Sequence, residues 1–171
     1  SHASFQGSIM LTANFGLATA GLLFMTGFIY RRTNTTRLSR LGGLFDPLPI
    51  IGTAFFLAGL SIIGMPGTPG FDALHLSLEG TIDRFGALFT IAAALGNVVV
   101  AGFLLLAFQR VFMAQRPASM KQTMPTGGFL ERLIAITVIG VLTITGLYSE
   151  PWLALIEQSL ESLSTLYGGY S

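Results

Sequence analysis

From Ala3 to Tyr30 the chain runs through 28 residues without a charged side chain and then meets Arg31-Arg32. About 20 consecutive apolar residues of helix cross the hydrocarbon core of a bilayer. Backbone amides must be satisfied internally in that medium, so the run predicts a transmembrane helix from about Ile9 to Tyr30. Two later stretches repeat the pattern: Phe85 to Met113, uncharged as far as Gln109, and a helix from near Phe129 through Tyr148 that Glu150-Pro151 should stop. Of the 171 residues 51% are hydrophobic and only 10% charged, with a mean hydropathy of +0.69. Soluble proteins carry about a quarter charged residues. The expected class is therefore an all-α polytopic transmembrane bundle. Asn14 and the small residues Gly16, Ala18, Ala20 and Gly21 interrupt the first run, a composition suited to helix packing rather than lipid contact.

The remaining apolar run is broken. Leu48 to Ile63 carries no charge and starts beside Pro47 and Pro49, which suit a helix N-terminus. Its 16 residues make roughly 24 Å of helix, short of the hydrocarbon core. Gly64, Pro66, Gly67, Pro69 and Gly70 then remove amide donors and helix propensity together, so the helix is expected to stop at membrane depth. Phe71 to Ile82 continues for 12 residues, too few to cross alone. If both pieces form one discontinuous crossing, the loop holding Arg31, Arg32, Arg37 and Arg40 and the loop holding Arg116 and Lys121 lie on the same side. The positive-inside rule prefers that arrangement, giving four crossings with the second broken. Residues 1–149 form this bundle. Residues 150–171 read as an amphipathic surface helix, with Trp152, Ile156, Leu160, Leu163 and Tyr167 at helical spacing opposite Glu157, Gln158 and Glu161.

After the break the charges return. Asp72, His75 and Glu79 follow at i, i+3 and i+7 and so share one face of the restarting helix. Ionisable groups in a membrane span are functional candidates, and broken helices beside them are a common architecture of ion sites. Desolvation moves carboxyl and imidazole pKa values toward each other, into the range useful for proton exchange. Structural roles compete with this reading: Asp72 as a helix cap, His75 with a single hydrogen bond, Glu79 at headgroup level, and Asp83-Arg84 as a solvated turn. Asn97 suits an interhelical hydrogen bond or a water chain, and Arg110 can snorkel to the basic side or pair with an acid.

Other chemistries lack their residues. A net charge of +1 gives no reason to expect nucleic acid as a partner. Without cysteine there is no disulfide, thiolate or cysteine-held iron–sulfur cluster. His2 and His75 are too few and too far apart for a structural metal site. No phosphate-binding loop, dinucleotide fingerprint or nucleophile–base pattern occurs, and the opening has no basic n-region of a signal peptide.

The succession Ser4-Phe5-Gln6-Gly7, Asn14-Phe15-Gly16-Leu17, Gly27-Phe28-Ile29-Tyr30-Arg31-Arg32-Thr33, Thr36-Arg37 through Gly42-Gly43-Leu44, and Gly64-Met65-Pro66-Gly67-Thr68-Pro69-Gly70-Phe71 resembles the antiporter-like membrane subunits of respiratory complex I. The similarity is to the M-type subunit, counterpart of mitochondrial subunit 4 of NADH dehydrogenase. It covers essentially the whole chain, is specific at Gly-Met-Pro-Gly-Thr and is looser beyond Arg110. The resemblance implies proton translocation through a half-channel with a broken helix, in an energy-transducing bacterial or mitochondrial inner membrane. Flavin, iron–sulfur clusters and quinone are then expected in partner subunits, with no redox centre in this chain. The family usually has a glutamate where Leu74 stands and a histidine where Phe15 stands, so two relay positions are altered. Family members have about fourteen helices, and Ser1 stands in place of a start methionine. The chain is thus expected to be the C-terminal part of such a subunit, working with a chain or segment that carries the N-terminal helices. Two other readings are a subunit of a cation/proton antiporter or hydrogenase-linked pump, and a structural membrane subunit that conducts nothing.

Overall fold

The computed structural model describes residues 2–118, 120, 126–148, 151 and 154, with side chains from Gly7 onward. Five helices account for nearly all of this: α1 (His2–Thr33), α2 (Pro49–Ile63), α3 (Pro69–Phe85), α4 (Ala87–Phe108) and α5 (Phe129–Leu147). A short 3-10 turn, Leu38–Arg40, lies between α1 and α2, and a π-helical turn, Gln109–Met113, extends α4. By length and apolarity three segments can span a membrane: Gly7–Thr33, Ala87–Met113 and Phe129–Leu147. The amphipathic helix read over residues 150–171 lies outside the described residues.

Contacts along α1 show how the broken run is threaded. Gly21 faces Ala58 of α2, Asn14 reaches Ser61 at the end of α2 and Gly70 at the start of α3, and Gly7 abuts Ser77 of α3. Moving backward along one continuous helix therefore means moving forward through α2, the break and α3. The two pieces are a single discontinuous crossing antiparallel to α1. Helix α4 returns: Asn97 meets Ile63, and the rings of Phe108 and Phe112 pack at a tilt against Phe56 and Phe55 at separations of 4.7 and 5.5 Å. Helix α5 then runs alongside α2, from Glu131 near Arg32, past Val138 near Gly21, to Gly146 against Gly67.

Both basic loops consequently lie at one end, as charge parity predicts. They are also bonded to each other. Amides of Leu44 and Phe45 donate to the carbonyls of Val111 and Phe112 (3.3 and 3.2 Å), and the Arg116 guanidinium donates to the Gly43 carbonyl (3.0 Å). The π turn widens the last coil of α4, and the two loop amides find acceptors on it. Beneath them lies the densest core, with Met25, Leu44, Ile51 and Phe112 fully buried.

Three expectations need adjustment. Pro69 and Gly70 are not in the break but open α3, because proline at the first helical position has the right φ and lacks only an amide that would be unpaired anyway. The second piece is longer than expected, 17 residues, because the helix continues through Asp83 and Arg84, which form its exposed last turn. Of the small residues on α1, Ala18 and Gly21 are buried in helix contacts, whereas Gly16 and Ala20 are exposed.

Candidate functional site: the helix break and the charged face of α3

Helix α2 ends on Gly64 in the left-handed conformation (φ 76°), a place where a side chain would be strained. The Gly64 amide reaches back to Leu60 and Ser61, and Met65 to Leu60 (3.1 Å). Gly67 also has positive φ (86°), and Thr68 then caps α3 from extended backbone, its hydroxyl donating to the Met65 carbonyl (2.7 Å). A helix end still leaves carbonyls without intrahelical partners. At membrane depth water is not there to satisfy them.

Two asparagines from neighbouring helices take that place. Asn14 of α1 donates from Nδ2 to the Ser61 carbonyl (3.1 Å), and the Ser61 hydroxyl donates to Asn14 Oδ1 (2.6 Å). Both side chains are buried. Asn97 of α4 donates from Nδ2 to the Ile63 carbonyl (2.8 Å), so the interhelical hydrogen bond expected of it exists and its acceptor is the break itself. Gly70 lies so close to the Ser61 carbonyl that a Cβ would overlap it, and a Cβ on Gly146 of α5 would sit 2.5 Å from the Gly67 carbonyl. Three helices thus enclose the break. Beside it, a cavity of about 250 Å³ is lined by Met10, Ala13, Asn14, Leu17, Pro69, Val141 and Thr145.

The residues predicted to carry protons lie elsewhere on α3. The helix is unbroken from Pro69 to Phe85, so Asp72, His75 and Glu79 share a face as their spacing requires. Ala73 and Gly80 are buried, while Asp72 is half-buried and His75 and Glu79 are exposed. None of the three makes a hydrogen bond or ion pair among the described residues. The His75 ring stacks on Phe71 at 6.3 Å with an interplanar angle of 14°. Asp72 stands in the first turn, where a carboxylate complements the helix dipole, but the capping position belongs to Thr68. Leu74 packs toward Gly64 at the break, and Phe15 is partly exposed on α1. The break is therefore lined by amides, hydroxyls and carbonyls, and the titratable face points out of this bundle. Arg110 is exposed in the π turn at the basic end, where snorkelling would place it.

One buried titratable group escaped the sequence reading. Glu131, in the first turn of α5, accepts from Arg32 Nη2 at 2.5 Å, lies 3.7 Å from Arg31 Nη1, and accepts the Gly128 amide at 3.2 Å. Its pattern was available: Gly128 followed three residues later by glutamate, directly before an apolar run, is a helix-start signature. That signature reveals the cap, but the distant partner Arg32 comes only from folding.

Four antiparallel crossings, one discontinuous and enclosed by its neighbours, define a polytopic helical membrane protein. Residues 1–101 match the sequence model described as "NADH:quinone oxidoreductase/Mrp antiporter, TM". The chain belongs to this family and is an integral protein of an energy-transducing membrane. It is 31% identical over 113 residues to NADH-quinone oxidoreductase subunit M of Rickettsia felis, covering 66% of this chain and 23% of that one. It is 27% identical to subunit M of Mycobacterium tuberculosis H37Rv, covering 95% and 29%, and 30% identical to NADH-ubiquinone oxidoreductase chain 4 of Marchantia polymorpha, covering 92% and 32%. The chain thus spans between about a quarter and a third of the length of these relatives. Its fold matches a chain of respiratory complex I from Thermus thermophilus with bound NADH (TM-score 0.80, 23% identity, 95% of this chain and 34% of that one). It equally matches one in the Mrp complex from Dietzia sp. DQ12-45-1b (TM-score 0.81, 18% identity, 91% and 37%).

Proposed function

We propose that this chain is part of a proton-translocating membrane-arm subunit of an NADH:quinone oxidoreductase, and that Asp72, His75 and Glu79 are its proton relay. The observation that carries this reading is the helix break closed by Asn14 and Asn97, with three ionisable groups on the helix that restarts from it. In this reading Asp72 and His75 exchange the proton near the break, and Glu79, one to two turns on, passes it toward the far end. The face they share is outward in this bundle, so the complementary wall comes from neighbouring helices of the same membrane arm. Electron transfer through flavin, iron–sulfur clusters and quinone belongs to partner subunits, and this chain contributes the proton path.

The test is proton uptake by the assembled complex in proteoliposomes, measured with NADH oxidation. D72N/H75N should slow proton transfer by at least about tenfold, the low end of what positioned acid–base groups contribute being larger still. Stability should stay within about 0.5 kcal/mol, because neither side chain has a hydrogen bond or ion pair among the described residues. Unchanged proton transfer would favour a structural subunit, a reading that Leu74 and Phe15 at the altered positions support. Sodium-dependent proton exchange without NADH would favour the antiporter, which the equal similarity to the Mrp fold supports.

A further inference from the structure

A separate feature at the basic end goes beyond proton transfer. We infer that the turn carrying Arg37 and Arg40, with Asn34 beside it, is a binding site for the phosphate headgroup of an anionic membrane lipid whose acyl chain lies along the outer face of α1. The Arg40 amide donates to the Arg37 carbonyl at 2.9 Å, closing a 3-10 turn. Arg37 and Arg40 flank this turn; both are exposed, and neither has an ion pair or side-chain hydrogen bond among the described residues. Glu131 is occupied by Arg32, and Asp46 lines a different cavity beside Arg116. Arg40 instead borders a cavity of about 220 Å³ with Thr33, Asn34, Thr35 and Met120. Asn34 is held at φ 52°, its backbone amide donating to the Tyr30 carbonyl (2.8 Å) while its exposed side-chain amide makes no hydrogen bond among the described residues.

Lipid is favoured over another anion by what lies above the cavity. Leu23, Gly27, Tyr30 and Asn34 follow at i, i+4, i+7 and i+11, one face of α1 leading from the membrane to the turn. Leu23 and Tyr30 are 68% and 51% exposed, and a Cβ on Gly27 would meet nothing within 4 Å. The face is an apolar lane with an indentation, ending beside Arg37 and Arg40, which have no ion-pair partner among the described residues. Basic pockets at the ends of membrane helices on the positive side bind anionic headgroups by the same electrostatics.

The experiment uses the full chain, purified with its assembly in mild detergent, washed free of lipid and titrated with phosphatidylglycerol or phosphatidylcholine in mixed micelles. Bound lipid is counted by native mass spectrometry. Phosphatidylglycerol should be retained in preference, and R37Q/R40Q should reduce that preference roughly ten- to thirtyfold, the effect of two arginines near a charged surface. R84Q at the opposite end should change nothing. Gly27→Leu, which fills the lane without touching a charge, should also weaken retention. Equal retention by R37Q/R40Q and the unaltered chain would overturn the site. Displacement by excess inorganic phosphate, with Gly27→Leu silent, would leave an anion site and overturn the lipid. Cross-linking from position 40 to another protein chain, with no lipid retained, would overturn it as well.

Discussion

The basic end of the bundle and the charged half of α3 make opposite uses of their polar residues. At the basic end Arg32 and Glu131 are paired, Arg116 ties two loops together, and Met25, Leu44, Ile51 and Phe112 are fully buried beneath them. Beyond the break, Ala73 and Gly80 are buried, Leu88, Phe89 and Leu95 are 61% or more exposed, and Asp72, His75 and Glu79 make no hydrogen bond or ion pair among the described residues. Lipid tails are as apolar as leucine, so exposed apolar surface costs little in a membrane, but an unpaired ionisable group there does. The first half pairs its buried charges internally, although Leu23, Phe103 and Phe129 are 63% or more exposed there too. The second is built to meet further helices, and the relay face is where that meeting would matter.

Substitutions can break or sharpen this contrast. The largest effect is expected at Glu131. Glu131→Leu takes the carboxylate from the Arg32 guanidinium, whose side chain is only 10% exposed, and should cost about 3–5 kcal/mol in thermal or denaturant unfolding in detergent. Adding Arg32→Leu should recover most of that, since replacing both members of a buried pair is nearly neutral. A loss under about 1 kcal/mol for the single variant would mean the basic end is not self-contained. Next comes Gly70→Ala, which forces a methyl into the Ser61 carbonyl; about 3 kcal/mol is expected, at the upper end for overpacking, because the obstacle is backbone.

The two asparagines should separate. Asn14→Ala takes the acceptor from the buried Ser61 hydroxyl and leaves the Ser61 carbonyl only the Gly64 amide, and should cost about 1–3 kcal/mol. Asn97→Leu removes one half-buried bond to Ile63 and should cost about 0.6 kcal/mol, the average for interhelical hydrogen bonds in membranes. Equal losses would place the break's support evenly on α1 and α4 rather than mainly on α1.

Much of this was legible from residues alone. The charge-free runs gave the crossings to within a few residues, Gly64 and Pro66 marked the break, and the arginines of the two loops gave their common side. Helix length and transfer energy act locally, so a sequence carries them openly. What escaped was pairing. Glu131 could be read as a helix start but not as the partner of a residue 99 positions earlier. Asn14 looked like one of several polar interruptions in α1, and nothing in its neighbours indicated Ser61, 47 positions on. Pro69 was read as a breaker although it begins a helix, since proline stops one helix and starts another with the same φ.

The sequence by itself determined that this chain crosses a membrane as helices, that one crossing is broken, and that three ionisable groups share a face beyond the break. Those follow from the cost of exposing charge or unpaired amides to lipid, which every residue bears regardless of its neighbours. The tertiary structure decided which way that face points and what fills the break: amides of Asn14 and Asn97 at its open carbonyls, with the acids turned outward. Such choices depend on which helices come within hydrogen-bonding distance, and only the packed bundle sets those distances.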